Sequence, residues 1–172
     1  GTELFGMVKK KIISMPKEEI NAKFFGNTIE RLTSNGYSLY EISNFSKPGL
    51  RCKHNLHYWN IEPYLGFGPS AHSFDKKHRW NNTKSLDDYF QRIESNKTTI
   101  SKIETLSERN KINEIIGFGL RMFNGIDLNR LSVLNKKKLE KKLLHTKNKF
   151  KNCFIDDDYR IRLSEKGMLF AD

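Results

Sequence analysis

Chain-breaking residues are crowded into one stretch of this sequence, and that crowding limits the fold more than any other feature. Residues 44–82 contain three of the four prolines, together with Gly49, Gly66 and Gly68. This density of breakers predicts a long irregular segment. Four of the five histidines and both tryptophans also fall here. Because a long loop in a compact domain is usually functional or disordered, and aromatic residues argue against disorder, we expect the functional site in this segment.

Regular elements are predicted before and after this segment. A proline in the first turn and Asn35-Gly36 at the end predict a helix over residues 16–35. Residues 37–43 alternate as a strand does. Ser85 predicts the N-cap of another helix. The inward face of that helix is predicted to consist of Leu86, Tyr89, Phe90 and Ile93.

The polar residues 95–102 are predicted to be a linker, and residues 103–172 have their own order of elements. A capping box that starts at Thr105 and three further N-caps predict helices. Those further caps are Asp127, Asn135 and Ser164. Two short strands around a turn at residues 156–158 complete a winged-helix-like module. The predicted fold class is α+β, with residues 1–95 as the first domain and residues 103–172 as the second.

The net charge of +11 raises nucleic-acid binding as one hypothesis, since clustered cations release counterions from phosphates. The densest cluster, residues 136–142, holds five lysines and no arginine or aromatic residue that would stack on bases. We therefore favour a solvated helix face over a nucleic-acid site.

The two cysteines, Cys52 and Cys153, are far apart, so we expect no disulfide framework and a reducing, cytoplasmic location. No apolar run is long enough for a membrane span, and the N-terminus does not resemble a signal peptide. Peripheral contact with a membrane is left open. Because the chain starts without methionine, we expect that it begins inside a longer gene product.

Residues 51–59 (RCKHNLHYW) combine imidazoles, cations and large aromatic rings. One interpretation is a zinc site, for which the sequence offers four ligands of the right type, although their spacing matches no closed zinc framework. Those ligands are Cys52, His54, His57 and His72. A second is a heme or porphyrin contact, in which imidazole ligates iron and Arg51 or Lys53 meets a propionate. A third is a structural loop, which residue types alone favour. Downstream, Gly66 and Gly68 would let the backbone approach a ligand closely, or form an ordinary turn.

Seven segments of the chain form an ordered set of motifs: residues 1–5 (GTELF), 40–49 (YEISNFSKPG), 54–59 (HNLHYW), 64–73 (YLGFGPSAHS), 117–121 (GFGLR), 124–128 (NGIDL) and 163–167 (LSEKG). Together they resemble one protein family, the radical S-adenosylmethionine heme chaperones, which are close relatives of oxygen-independent coproporphyrinogen III oxidase. The resemblance covers nearly the whole chain, in the family's order and spacing.

The resemblance implies the end of a partial (β/α)6 radical-SAM barrel over residues 1–95, followed by a winged-helix-like domain. It implies that the longer protein binds S-adenosylmethionine, a 4Fe-4S cluster and heme, and passes heme to an acceptor protein. The cofactor-binding residues it implies are His54, Tyr58, Trp59, Gly66, Gly68, Ala71 and His72, with His54 also a heme-iron ligand. Residues 54–59 match the chaperone motif rather than the oxidase, so oxidative decarboxylation of coproporphyrinogen III is the alternative.

The sequence departs from the family pattern at the cluster. Radical chemistry requires three thiolates in a Cys-x3-Cys-x2-Cys run, and neither Cys52 nor Cys153 lies in one. We therefore expect this chain, as a fragment, neither to assemble the cluster nor to act as an enzyme alone. An incomplete barrel would also expose apolar edges, which favours self-association.

Overall fold

The N-terminal part of the protein consists of two helices and a hairpin. The structure is a computed structural model that describes residues 2–157 and 159–171, so Gly1 of the first family segment and Asp158 of the predicted turn lie outside it. Helices α1 and α2 are followed by an antiparallel pair, β1 and β2. These elements span Glu3–Lys9, Glu18–Thr33, Ser38–Glu41 and Asn44–Ser46. The helix and strand predicted over residues 16–43 are confirmed with ends shifted by one or two residues.

The middle of the chain contains an antiparallel sheet in the order β3-β4-β5. Its elements are α3 (Lys53–Trp59), β3 (His72–Phe74), β4 (His78–Asn82), α4 (Leu86–Glu94) and β5 (Ile100–Thr105). The prediction of one long irregular segment over residues 44–82 is therefore wrong, because four short elements interrupt it: β2, α3, β3 and β4. Each is too short to produce a periodic pattern, and the strands are stabilised by pairing with distant residues.

Two further expectations about this region are wrong. Residues 100–102, predicted to be linker, form the start of β5, which pairs with β4 in the register Trp80 to Ile103. Ser85 does cap α4, accepting from the Asp88 amide. However, the apolar side chains predicted to face inward are largely exposed: Leu86, Phe90 and Ile93. An apolar face indicates burial only when a second element covers it.

The C-terminal part forms a small three-stranded sheet, ordered β6-β8-β7, against two helices. Its elements are α5 (Glu108–Arg121), β6 (Ile126–Asp127), a 3-10 turn (Leu128–Arg130), α6 (Val133–Lys149), β7 (Phe154–Asp157), β8 (Arg160–Leu163) and α7 (Glu165–Met168). Asp127 and Ser164 are caps as predicted. The caps of α5 and α6 are Ser107 and Ser132, not Thr105 and Asn135, because those serine hydroxyls accept from amides three residues on.

The apolar core crosses between the two predicted domains. One cluster lies within the C-terminal part, around Leu139 and Ile161. A second joins Leu39 of β1 to Leu163 of β8, and Phe154 packs against both clusters. The α+β class is as predicted, the described residues include no closed barrel, and the division at residues 95–103 stays a prediction. No helix within the described ranges is long and apolar enough to cross a membrane.

Candidate functional site

Helix α3 has two different faces. His54 and Tyr58, one turn apart, lie on its exposed side, where their rings meet edge to face with centroids 4.8 Å apart. Trp59 lies about 140° round the helix axis from His54. Its ring packs on Phe118 of α5 at 5.7 Å between centroids. The predicted site residues of this segment therefore divide between a solvent face and a packed face.

The two histidines of α3 differ in what holds them. The Nε2 atom of His57 lies 2.7 Å from the carbonyl oxygen of Pro63 and so ties the helix to the next loop. Within the described part of the chain, neither ring nitrogen of His54 has a hydrogen bond or an ion pair. Both ring nitrogens of His54 are therefore available among these residues to coordinate heme iron, whereas the Nε2 atom of His57 is engaged.

A line of aromatic rings connects α3 to the central sheet. Tyr58 contacts Tyr64 at 4.6 Å between centroids, and Tyr64 contacts Phe74 of β3 at 6.1 Å. The backbones of Tyr64 and Phe74 also exchange hydrogen bonds of 2.8 and 2.9 Å. The exposed face of α3 is thereby fixed relative to the loop that carries the glycines.

The glycine loop before β3 is packed against itself. A Cβ atom at Gly66 would overlap the carbonyl oxygen of His72 and lie 3.0 Å from the Cβ atom of Ala71. Gly68 adopts φ = +98°, and a Cβ atom there would meet open space. Gly66 is therefore required by its own loop, and Gly68 is the position that leaves room beside the backbone.

Asn82 holds this loop in place, although it is not among the site residues predicted from the sequence. Its buried side-chain amide donates to the carbonyl oxygens of Gly66 (3.4 Å) and Gly68 (3.0 Å) and accepts from Thr99 (3.1 Å). The amide of Gly68 donates to the hydroxyl of Tyr89, 3.1 Å away. An asparagine at the end of a short strand gives no local signal of this role, since its partners are 14 to 17 residues away.

The structure does not bring the two main predicted site histidines together. His72 is exposed on β3, opposite Asn81 in the sheet register, and shares no hydrogen bond or ring contact with His54 in the described residues. Ala71 is half-buried, and its amide donates to Gly68 at 3.3 Å. Contacts of Gly66, Gly68, Ala71 and His72 with S-adenosylmethionine stay predictions.

The zinc hypothesis is wrong. Among residues 2–157 and 159–171, no three His, Cys, Asp or Glu side chains come together in a group that could hold a metal ion. His57, one of the four candidate ligands, is engaged by Pro63.

A cleft of about 480 Å³ lies behind α3, between β3 and the C-terminal part. Trp59, Phe74, Glu114 and Met122 contribute to its walls, whereas His54 and His72 do not. Its size is in the range of small-molecule sites. The cleft and the His54 face are therefore on different sides of the helix.

The clearest electrostatic perturbation is at the β3–β4 turn. The Asp75 carboxylate accepts from the ring of His78 at 2.9 Å and from the backbone amides of His78 and Lys77, which lowers the pKa of Asp75 from 3.8 to about 2. Hydrogen bonding and attraction from Lys76, 3.1 Å away, lower the pKa of Glu62. Hydrogen bonds from Thr83 and Arg92 lower the pKa of Asp88.

The lysines of α6 form a stripe. Leu139 and Leu143 are buried on one side of the helix, and five lysines are exposed away from them. The exposed lysines are Lys137, Lys138, Lys141, Lys142 and Lys149. Two exposed carboxylates, Asp156 and Asp157, lie at the nearby β7–β8 hairpin. The stripe meets one requirement of an anion-binding surface, while the acidic hairpin opposes a phosphate backbone.

Comparisons with known proteins agree with the family segments. No protein-family model matches the chain. Heme chaperone HemW of Lactococcus lactis is 29% identical over 92% of the chain and 42% of its own length. HemW of Synechocystis is 33% identical over 72% of the chain and 30% of that protein, and a zebrafish (Danio rerio) mitochondrial radical S-adenosyl methionine domain-containing protein 1 is 31% identical over 73% and 30%. The chain spans less than half the length of these relatives.

The fold is that of a solved radical SAM enzyme. Coproporphyrinogen III oxidase (HemN) from Escherichia coli superposes with a TM-score of 0.65 over 91% of the chain and 40% of the enzyme, at 18% identity. The chain thus has part of a radical-SAM enzyme fold. It belongs to the radical S-adenosylmethionine family of heme chaperones and coproporphyrinogen III oxidase-like proteins.

Proposed function

We propose that the full-length protein binds heme on the exposed face of α3, with His54 as an axial ligand, and transfers it to an acceptor protein. The observation that carries this is the ring of His54, which is exposed and free of hydrogen bonds among the described residues while its neighbour His57 is engaged. When bound, heme iron offers a coordination position that a neutral imidazole fills. The Tyr58 ring contacts the His54 ring edge to face, 4.8 Å between centroids.

Charge around His54 suits the same ligand. Arg51 and Lys53 are exposed at the start of α3, within one turn of His54. Cations pair with carboxylates such as heme propionates through charge-assisted hydrogen bonds. The proposed heme-binding surface would thus combine the imidazole of His54, the ring of Tyr58 and the cations of Arg51 and Lys53.

The test is a titration of hemin into full-length protein, followed by the Soret band and by electron paramagnetic resonance of the ferric iron. We expect His54→Ala to lose the imidazole-ligated signal and His57→Ala, on the same helix, to keep it. His145→Ala, on α6, controls for nonspecific hemin binding. Identical spectra and affinities for wild type and His54→Ala would remove His54 from this role.

Oxidative decarboxylation of coproporphyrinogen III is a second candidate, supported by the fold shared with the Escherichia coli oxidase. Backbone at Gly68 and the adjoining Ala71–His72 peptide would then lie beside S-adenosylmethionine. Reconstituted full-length protein is incubated with substrate, reductant and S-adenosylmethionine. A vinyl product equal to that of a control oxidase would support the enzyme, and no product would reject it.

The lysine stripe supports a third candidate, a nucleic-acid surface, which the acidic hairpin and the absence of arginine in the stripe make the weakest. A gel shift at near-physiological salt decides it. Retention lost in Lys137→Glu and Lys141→Glu together would support the surface, whereas no retention by wild type would reject it.

A further inference from the structure

Helix α3 is too short to be stable without contacts to the rest of the protein. It has only seven residues, its N-cap residue Cys52 makes no side-chain capping bond, and none of its residues is buried in the described structure. Isolated helices of this length are unstable in water. The position of His54 therefore depends on what the rest of α3 touches.

One such contact comes from the C-terminal part of the protein. The guanidinium carbon of Arg121, the last residue of α5, lies 5.2 Å from the centre of the Trp59 ring. Attraction between a cation and an aromatic face holds such pairs together, most strongly for tryptophan. Phe118, one turn earlier on α5, contacts the same ring. Trp59 is thus the residue through which α3 contacts both Phe118 and Arg121 of α5.

Arg121 is in turn fixed by a buried carboxylate. Glu41 of β1 is fully buried, and its Oε2 atom lies 4.0 Å from the Nη2 atom of Arg121. Its other oxygen accepts from the side chain of Asn44. A backbone hydrogen bond also connects the end of β1 to the end of α5, because the amide of Ile42 donates to the carbonyl oxygen of Arg121 at 3.0 Å. A fully buried carboxylate is costly unless a cation offsets it, so Glu41 and Arg121 constrain each other.

We propose that Glu41 and Arg121 are positioning residues that hold Trp59, and through it α3 and His54, against the C-terminal part of the protein. This part then serves the heme site by orienting its helix, without itself touching heme. The heme readout below rests on the proposed function, but the placement of α3 does not.

The experiment compares full-length wild type with Glu41→Gln, Trp59→Leu and Trp59→Phe. The indole N–H of Trp59 is buried and has no hydrogen-bond partner within the described residues, so phenylalanine keeps an aromatic face and loses no hydrogen bond. Hydrogen exchange is measured without heme at the amides of Leu56 and Asn60, which bond within α3 and its cap, and at β4. We expect Glu41→Gln and Trp59→Leu to exchange about tenfold faster in α3 only, and Trp59→Phe to stay near wild type.

The same variants are then titrated with hemin. We expect Glu41→Gln and Trp59→Leu to weaken the imidazole-ligated signal about tenfold, with Trp59→Phe near wild type. Unchanged α3 exchange in both variants would overturn the proposal, and so would equal acceleration in α3 and β4, because that would mean a general effect on folding. Faster α3 exchange together with a heme spectrum insensitive to His54→Ala would uphold the positioning role and reject heme ligation instead.

Discussion

The side-chain amide of Asn82 donates to the carbonyl oxygen of Gly68 at 3.0 Å and so ties the end of β4 to the glycine loop. Removing the side-chain amide leaves the half-buried carbonyl oxygens of Gly66 and Gly68 and the hydroxyl of Thr99 without this partner. We expect Asn82→Ala to lower the free energy of unfolding by about 1–3 kcal/mol, measured by urea denaturation. Asn81→Ala is the matched control, because among the described residues that side chain bonds only to the adjacent carbonyl, and its cost should stay near 0.5 kcal/mol. Equal effects of the two substitutions would contradict the assigned role.

Two glycines should respond in opposite directions to alanine. At Gly66 the new Cβ atom overlaps the carbonyl oxygen of His72, so we expect a loss of about 1–3 kcal/mol in unfolding free energy. At Gly26, in exposed helix α2, no atom of the described residues lies within 4 Å of the new Cβ atom, and we expect a gain of about 0.5–1 kcal/mol. Chemical denaturation of both variants measures this. A neutral Gly66→Ala would show that the loop relaxes freely.

The β3–β4 turn should be acid-sensitive. The pKa of Asp75 is lowered from 3.8 to about 2, mainly by the His78 side chain and then by the backbone amides of His78 and Lys77. The folded state thus favours the carboxylate, so its stabilising effect is complete above pH 3.8 and is lost as the pH falls towards 2. Amide chemical shifts of Lys77 and His78 followed by NMR should titrate with a midpoint near 2. In Asp75→Asn that titration should vanish, and a midpoint near 3.8 in wild type would contradict the hydrogen-bond arrangement.

The two thiols should differ sharply in reactivity. Cys52 is exposed and Cys153 is buried. A disulfide reagent such as dithionitrobenzoate should therefore modify Cys52 in the native 172-residue chain and Cys153 only after denaturation. Cys52→Ser supplies the control, since it should leave the native protein unreactive. Rapid native labelling of Cys153 would mean that the β7–β8 region opens readily.

The exposed apolar side chains of α1 and α2 should drive self-association of the 172-residue chain. Phe5 and Phe24 are more than half exposed, and Leu4 and Ile20 lie on the same two helices. Large exposed apolar patches favour association. Sedimentation velocity should show concentration-dependent association that Phe24→Asp reduces. Val133→Asp, at an exposed position on α6, should not change it. A monomer at all concentrations would refute this expectation.

Local patterns in the sequence predicted the long elements and the caps that act on their own helix. Residues 18–33, Ser85 and Ser164 are examples, because their contacts lie within a few residues. Helix α3 was missed since its seven residues have no side-chain cap and depend on Arg121, 62 positions beyond Trp59. Strands β3 and β4 were missed because they are also short and are stabilised by pairing with other strands, not by a local pattern.

The candidate site shows the same limit. Motif resemblance selected residues 54–59 and 64–73, but it could not say that His57 is engaged or that Trp59 faces α5. Those distinctions depend on which way a short helix is rotated, and packing against distant elements sets that rotation. Asn82 and Glu41 became visible only once their partners were placed around them.

Leu39 and Ile42 share one cluster with Leu163 and Met168, and this has a consequence for synthesis. The hairpin that carries the first pair leaves the ribosome long before the second pair is translated. Its apolar side chains lack these partners until β8 and α7 leave the ribosome. Folding of this region therefore waits for residues 163–168, and ribosome-bound chains that stop before residue 160 should remain sensitive to protease around residues 37–46.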